Sequence, residues 1–108
     1  MTHSLTSRTM VQVRLALKSD CGCSRTLSAL ERDARSSGLT GAEIDAALEK
    51  RSFEVRTNAA IAYACALQSG NQRVVDEAYL CALRVGWTHE QLEELGQIIG
   101  TLAANPQT

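Results

Sequence analysis

Two cysteines one residue apart, Cys21 and Cys23, are the residues whose type and spacing best suit chemistry. Apolar residues recur at helical spacing after them, so we expect the pair to lie at the start of a helix. There the unpaired amides, the positive end of the helix dipole and the nearby cation of Arg25 all favour the thiolate. The sequence therefore predicts a nucleophilic thiol at Cys23.

A disulfide at Cys23 requires a second sulfur, and Cys21 is the only local candidate. A disulfide between them would close a very tight ring across Gly22, and its strain would make it easily reduced. The alternative interpretation is an inert pair, because a reactive thiol needs both exposure and a lowered pKa. The candidate catalytic residues are thus Cys23, Cys21 and Arg25.

The remaining cysteines and histidines do not predict a metal site. His3 and His89 each lack a second histidine or cysteine at the spacing that zinc sites use. Cys65 and Cys81 lie in apolar stretches, where free cysteine commonly serves as a small core residue. An intermolecular pair is the alternative for these two. We expect neither a metal nor a cofactor.

Composition restricts the possible partners. The chain has 108 residues with 11 basic and 12 acidic side chains, a net charge of -1. This balance leaves no excess of positive charge to bind nucleic acid or an anionic membrane. A polar N-terminal segment and the absence of a long apolar run predict a soluble, cytoplasmic protein, in which thiols are kept reduced.

The positions of the helix-breaking residues, proline and glycine, predict an all-α fold. The single proline, Pro106, lies near the end, and the segments between breakers are rich in good helix formers. In no segment do apolar and polar residues alternate with period two, the pattern typical of a β-strand. The glycines that separate the segments are Gly22, Gly38, Gly70 and Gly86. We expect one domain over residues 1–108, a compact bundle of five to six helices, with residues 1–8 as a frayed tail.

Two segments of the chain repeat each other. Residues 38–44 and 86–92 each contain a glycine, then a threonine that opens a capping box ending in Glu43 or Gln91. The repeat predicts two helical hairpins, with Trp87 buried over its turn at the position that corresponds to Leu39. Between the hairpins, the alanine-rich stretch 54–69 predicts a central helix that is gripped closely by its neighbours or by another subunit.

Taken together, the chain resembles the alkylhydroperoxidase D-like, or carboxymuconolactone decarboxylase, superfamily over about residues 11–105. The resemblance is carried by residues 13–23, 34–44 and 60–67, above all by the spacing from Cys23 to Gly38 and by the small-residue helix around Tyr63. It implies a compact all-helical protein that assembles as a trimer or hexamer. It also implies thiol peroxidase or disulfide reductase activity, with a thiol reductant as partner.

The family's peroxidase pattern is a glutamate upstream of Cys-x-x-Cys, with one histidine between the cysteines and one beyond them. Its first cysteine matches Cys23. The other positions fall on Thr26 for the second cysteine, Arg25 and Leu30 for the histidines, and Val11 for the glutamate. The histidine of the decarboxylase branch also falls on Leu30, so decarboxylation is not expected.

Two functions follow as hypotheses. The first is a thiol-dependent peroxidase or disulfide reductase that works through Cys23, with Cys21 as the resolving thiol. The second is a non-catalytic, oligomeric binding or scaffold protein, with a pocket near Leu30, Arg25 and Tyr63 that makes apolar contacts.

Overall fold

The computed structural model describes residues 6–19 and 24–104, and six α-helices account for most of them. They are α1 (Ser7–Lys18), α2 (Ser24–Ser36), α3 (Gly41–Leu48), α4 (Val55–Ser69), α5 (Gln72–Arg84) and α6 (His89–Ala104). No strand occurs within these two ranges. The prediction of an all-α bundle of five to six helices is confirmed. The radius of gyration, 13.1 Å, is typical of a compact chain of about 100 residues.

Helix α1 begins inside the segment for which the sequence predicts a frayed tail. Thr6 caps it, since its Oγ1 accepts a hydrogen bond from the backbone N–H of Thr9 at 3.2 Å. This bond satisfies one of the amides that have no partner within the helix. Ser7 and Arg8 are therefore helical.

Both predicted capping boxes form. The Thr40 Oγ1 accepts from the Glu43 amide at 3.2 Å, and the Thr40 amide donates to Glu43 Oε1 at 2.8 Å. The Thr88 hydroxyl and the Gln91 side chain make the same two bonds, at 3.1 and 3.0 Å. Each box satisfies two amides, which determines where α3 and α6 begin.

Glycines end α2 and α5 in the same way. Gly38 has φ 93° and Gly86 has φ 110°, a backbone conformation that residues with a Cβ rarely adopt. After each glycine, the next amide donates to the carbonyl of a buried alanine. These bonds are Leu39 N to Ala34 O, 3.0 Å, and Trp87 N to Ala82 O, 3.1 Å.

The second three helices repeat the first three in register. The helices of each pair begin 48 positions apart, at Ser7 and Val55, Ser24 and Gln72, and Gly41 and His89. Helices α2 and α5 also have the same length, 13 residues. The sequence predicts the repeat as two helical hairpins, which correspond to α2–α3 and α5–α6, and the structure extends it to α1 and α4. We call α1–α3 the first repeat and α4–α6 the second, and residues 48 apart are counterparts.

Each repeat has its own hydrophobic core. The first core consists of Val11, Leu15, Ala34, Leu39, Ile44 and Ala47. The second consists of Val13, Ala16, Leu17, Ala60, Ile61, Tyr63, Ala64, Ala82, Trp87, Leu92, Leu95 and Ile99. Helix α1 contributes residues to both sets, so it joins the two repeats.

The alanine-rich helix α4 packs against α1, α5 and α6. Its buried residues are Thr57, Ala60, Ile61, Tyr63, Ala64 and Ala66. The small side chains let three neighbours approach it closely. The predicted burial of this helix is confirmed, apart from an exposed stripe that includes Asn58 and Ala62.

Trp87 is buried over its turn, as predicted. Its side chain is 4% exposed, and its Nε1 donates to the backbone carbonyl of Arg56 at 2.8 Å. The Arg56 guanidinium carbon also lies 4.3 Å from the centroid of the tryptophan ring, in a cation–π contact. Trp87 thereby ties the end of α5 to the start of α4.

Candidate functional site

The predicted thiol pair, Cys21 and Cys23, lies outside the described residues, as does His3. The described chain resumes at Ser24, where α2 begins. Arg25 follows in the first turn and is exposed. The helix expected after Cys23 therefore exists, and the catalytic roles of Cys23, Cys21 and Arg25 stay predictions.

Two positions that carry acid–base residues in the family pattern come together in the first core. Val11 is buried there, and the half-buried Leu30 packs against the same cluster. Neither side chain can accept or donate a proton. Thiol chemistry at Cys23 would therefore need a proton carrier at some other position.

The apolar pocket expected near Leu30, Arg25 and Tyr63 is not assembled from these residues. Leu30 packs against the first core, whereas Tyr63 belongs to the second. Arg25 is exposed to solvent. The structure therefore does not bring Leu30 and Tyr63 together.

The other cysteines behave differently from each other. Cys65 is half-buried and packs against the second core, as expected. Cys81 is exposed, so its prediction as a core residue is wrong. Ala82 is the buried residue of α5, and Cys81 points about 100° away from it around the helix.

His89 has a partner within the second repeat. Its Nδ1 shares a hydrogen bond with the hydroxyl of Tyr79, and the Tyr79 ring in turn lies 5.8 Å from that of Tyr63, centroid to centroid. Over residues 6–19 and 24–104, no three histidine, cysteine or acidic side chains cluster in a way that could hold a metal ion.

A cleft of about 390 Å³ lies between α1 and α2. Its lining residues are Thr6, Ser7, Met10, Val11, Arg14, Asp33, Ser36 and Ser37. The Nε atom of Arg14 is buried and has no hydrogen-bond partner. Burial of a donor without a partner is uncommon in folded proteins, because the donor loses its water. We call this feature the α1–α2 cleft.

Sequence reasoning missed this cleft, although α1 carries a signal for it. Arg14 is the only charged residue between Val11 and Leu17, a stretch that otherwise reads as a buried helix. A cation within such a stretch indicates a polar contact or an opening to solvent. The sequence does not identify α2 as the other wall, since that depends on how the two helices pack.

Helix α5 presents leucines to solvent. Leu80 is 56% exposed and Leu83 is 38% exposed, on a helix whose only buried residue is Ala82. Their counterparts in the first repeat are Arg32 and Arg35, both exposed. At the same two helix positions, one repeat therefore carries charges and the other carries leucines.

These features define an all-α protein built from two three-helix repeats. No protein-family model, curated protein or solved structure matches the chain. What the superfamily resemblance implies therefore stays a prediction. Among the six helices, none is both long enough and apolar enough within the described ranges to cross a membrane.

Proposed function

We propose that the chain is a non-catalytic, cytoplasmic scaffold or binding protein that associates with copies of itself through α5. The observation that carries this proposal is the exposed pair Leu80 and Leu83, which replaces the arginine pair of the first repeat. Full burial of a leucine that starts fully exposed contributes about 1.5–3 kcal/mol, and Leu80 and Leu83, already partly covered, would gain a fraction of that each. A partly exposed pair on a helix that packs mainly against α4 alone thus favours association.

Charges beside the leucines support a second copy as the occupant. Asp76 and Arg84 lie four residues before and after Leu80, on the same face of α5, and both are exposed. Two α5 helices that cross antiparallel at Leu80 place Asp76 of each copy opposite Arg84 of the other. Such a contact is isologous, with the same patch on both subunits. Alone, it builds a dimer.

The oligomeric state tests the proposal. We expect light scattering after size exclusion to give the full-length chain the mass of a dimer, twice the 11.7 kDa of one chain. The double variant Leu80→Arg, Leu83→Arg carries the arginine pair of the first repeat at these positions. It should not dimerise, and its mass should be that of one chain. Val74→Arg is the matched control, because Val74 is also exposed on α5, 43%, but on a different side.

Two results contradict self-association through α5. One is a wild-type chain that stays monomeric at high concentration. The other is a double variant that keeps the wild-type mass. A trimer would contradict the two-fold contact, since an isologous patch alone does not close a three-membered ring.

Thiol-dependent peroxidase or disulfide reductase chemistry is the second candidate, supported by the start of α2 at Ser24, directly after Cys23 in the chain. In this scheme the Cys23 thiolate attacks a hydroperoxide, which leaves as an alcohol, and becomes a sulfenic acid. Cys21 then displaces water to form a disulfide, and a thiol reductant restores both thiols.

Peroxide consumption separates this candidate from the first. Purified protein with a dithiol reductant should consume an alkyl hydroperoxide, Cys23→Ser should abolish the activity, and Cys65→Ser should not change it. The candidate is excluded if neither Cys21 nor Cys23 reacts with a thiol reagent faster than free cysteine does.

A further inference from the structure

The α1–α2 cleft contains a cation with one buried donor that has no acceptor. A guanidinium has five N–H donors in a planar fork, and the Nε donor of Arg14 is buried without an acceptor. Arg14 itself is half-buried and lines the cleft. If the Arg14 side chain turns toward the cleft, Nε and one terminal nitrogen can together donate to a carboxylate that enters it.

An acidic group lies in the same cleft and does not neutralise Arg14. Asp33 projects from α2 into the lining, yet no ion pair joins it to Arg14 among the described residues. Hydroxyl groups complete the polar lining, from Ser7, Ser36 and Ser37. The cleft thus offers a fork of donors, a carboxylate acceptor and several hydroxyls, with no net charge.

We propose that this cleft binds a small zwitterion of the amino-acid type, with its carboxylate on Arg14 and its ammonium group on Asp33. A phosphate or a dicarboxylate would be repelled by Asp33, and a simple amine would be repelled by Arg14. A molecule that carries both charges satisfies both residues. The volume of about 390 Å³ is at the small end of ligand pockets, which suits a single amino acid.

The second repeat supplies an internal comparison. The counterparts of Arg14 and Asp33 are Ala62 and Cys81, so the equivalent positions on α4 and α5 carry neither charge. The fold of a repeat therefore does not require this charged pair. Because the cleft belongs to the first repeat and α5 to the second, the proposal does not depend on self-association.

Calorimetric titration of the full-length chain with each standard amino acid tests the site. We expect at least one to bind. For that amino acid, the acid without the amino group, the amine without the carboxyl group and inorganic phosphate should each bind about tenfold more weakly or worse, since each loses a charge-assisted bond.

Variants assign the binding to the cleft. Arg14→Gln and Asp33→Asn should each weaken binding about tenfold or more. Arg32→Gln, an exposed change on α2 outside the cleft lining, should bind as the wild type does. Asp33 is exposed, so Asp33→Asn keeps the test decisive if Arg14→Gln disturbs folding.

Three results would overturn the proposal. They are no binding of any amino acid, equal binding of the deaminated acid, and unchanged binding by folded Asp33→Asn. The double variant Leu80→Arg, Leu83→Arg should retain amino-acid binding, so failure of self-association and failure of the cleft are separate outcomes.

Discussion

Glu43 is the residue at which a local cap and a contact between helices meet. The Thr40 amide, which donates to its carboxylate, is the main cause that holds the pKa of Glu43 below its ordinary value of 4.5. Burial acts in the opposite direction, and the Arg8 guanidinium, 2.9 Å from Oε2, lowers the pKa further. The charged carboxylate therefore stabilises the fold, and it also connects α3 to α1.

The pH dependence of stability follows from that shift. Because the folded pKa is lowered, the stabilisation is complete above about pH 4.5, the unfolded value, and is lost as the pH falls through the folded value. We expect Glu43→Gln to lower the free energy of unfolding more at about pH 7 than at about pH 3. The amide of glutamine can keep the capping box, as Gln91 does. Urea titrations at both pH values measure the difference.

The second capping box provides the control. Gln91→Ala breaks that box without removing a titrating group, so its effect on stability should be the same at both pH values. A Glu43→Gln effect that does not change with pH would show that the charge of Glu43 contributes nothing.

At the scale of the helix, we expect alanine substitutions of two glycines to change stability in opposite directions. Gly86 has φ 110°, so we expect Gly86→Ala to destabilise the chain by about 1–2 kcal/mol. Gly100 lies inside α6, where an added Cβ would meet no atom outside the neighbouring backbone of its own helix within 4 Å. Gly100→Ala should stabilise the chain by about 0.5–1 kcal/mol. Thermal unfolding of both variants checks the pair, and the same sign for both would contradict it.

The starts of α3 and α6 could be predicted from the sequence because each is determined by neighbouring residues. The hydroxyl of Thr40 and the side chain of Glu43 are three residues apart, and their bonds depend on nothing distant. The burial of Trp87 was predictable for the same reason, from the position of Leu39 in the other turn. The spacing of neighbouring residues is therefore enough to predict the number of helices, the two capping boxes and the repeated turn.

Which face of a helix is covered depends on packing, and here sequence reasoning was weaker. Cys81 and Leu80 lie in an apolar stretch, but α5 contacts mainly α4, and only one narrow side of α5 is buried. Arg14 likewise stands in an apolar stretch, and its cleft exists only because α2 forms the opposite wall. Helical periodicity identifies apolar positions and does not identify the helix that covers them.

At the scale of the whole molecule, α1 belongs to both cores. Leu15 is fully buried in the first core, while the next residue, Ala16, belongs to the second. A change in either core should therefore be felt by both repeats. We expect Leu15→Ala to lower the free energy of unfolding by about 2–5 kcal/mol, in a single transition.

Trp87 allows this coupling to be measured, since the only tryptophan lies in the second core. The unfolding midpoint of Leu15→Ala should shift equally by tryptophan fluorescence and by far-ultraviolet circular dichroism. Ser28→Ala, an exposed change in the first repeat, should alter the stability by less than about 0.5 kcal/mol. Separate transitions by the two probes would show that the repeats unfold independently.

The double role of α1 also has a consequence during synthesis on the ribosome, where the N-terminal end of a chain emerges first. The first repeat can close its own core once α3 has emerged. The other side of α1, with Val13, Ala16 and Leu17, must wait for α4 to be translated. Until then the nascent chain exposes an apolar strip on α1, a surface of the kind that chaperones bind.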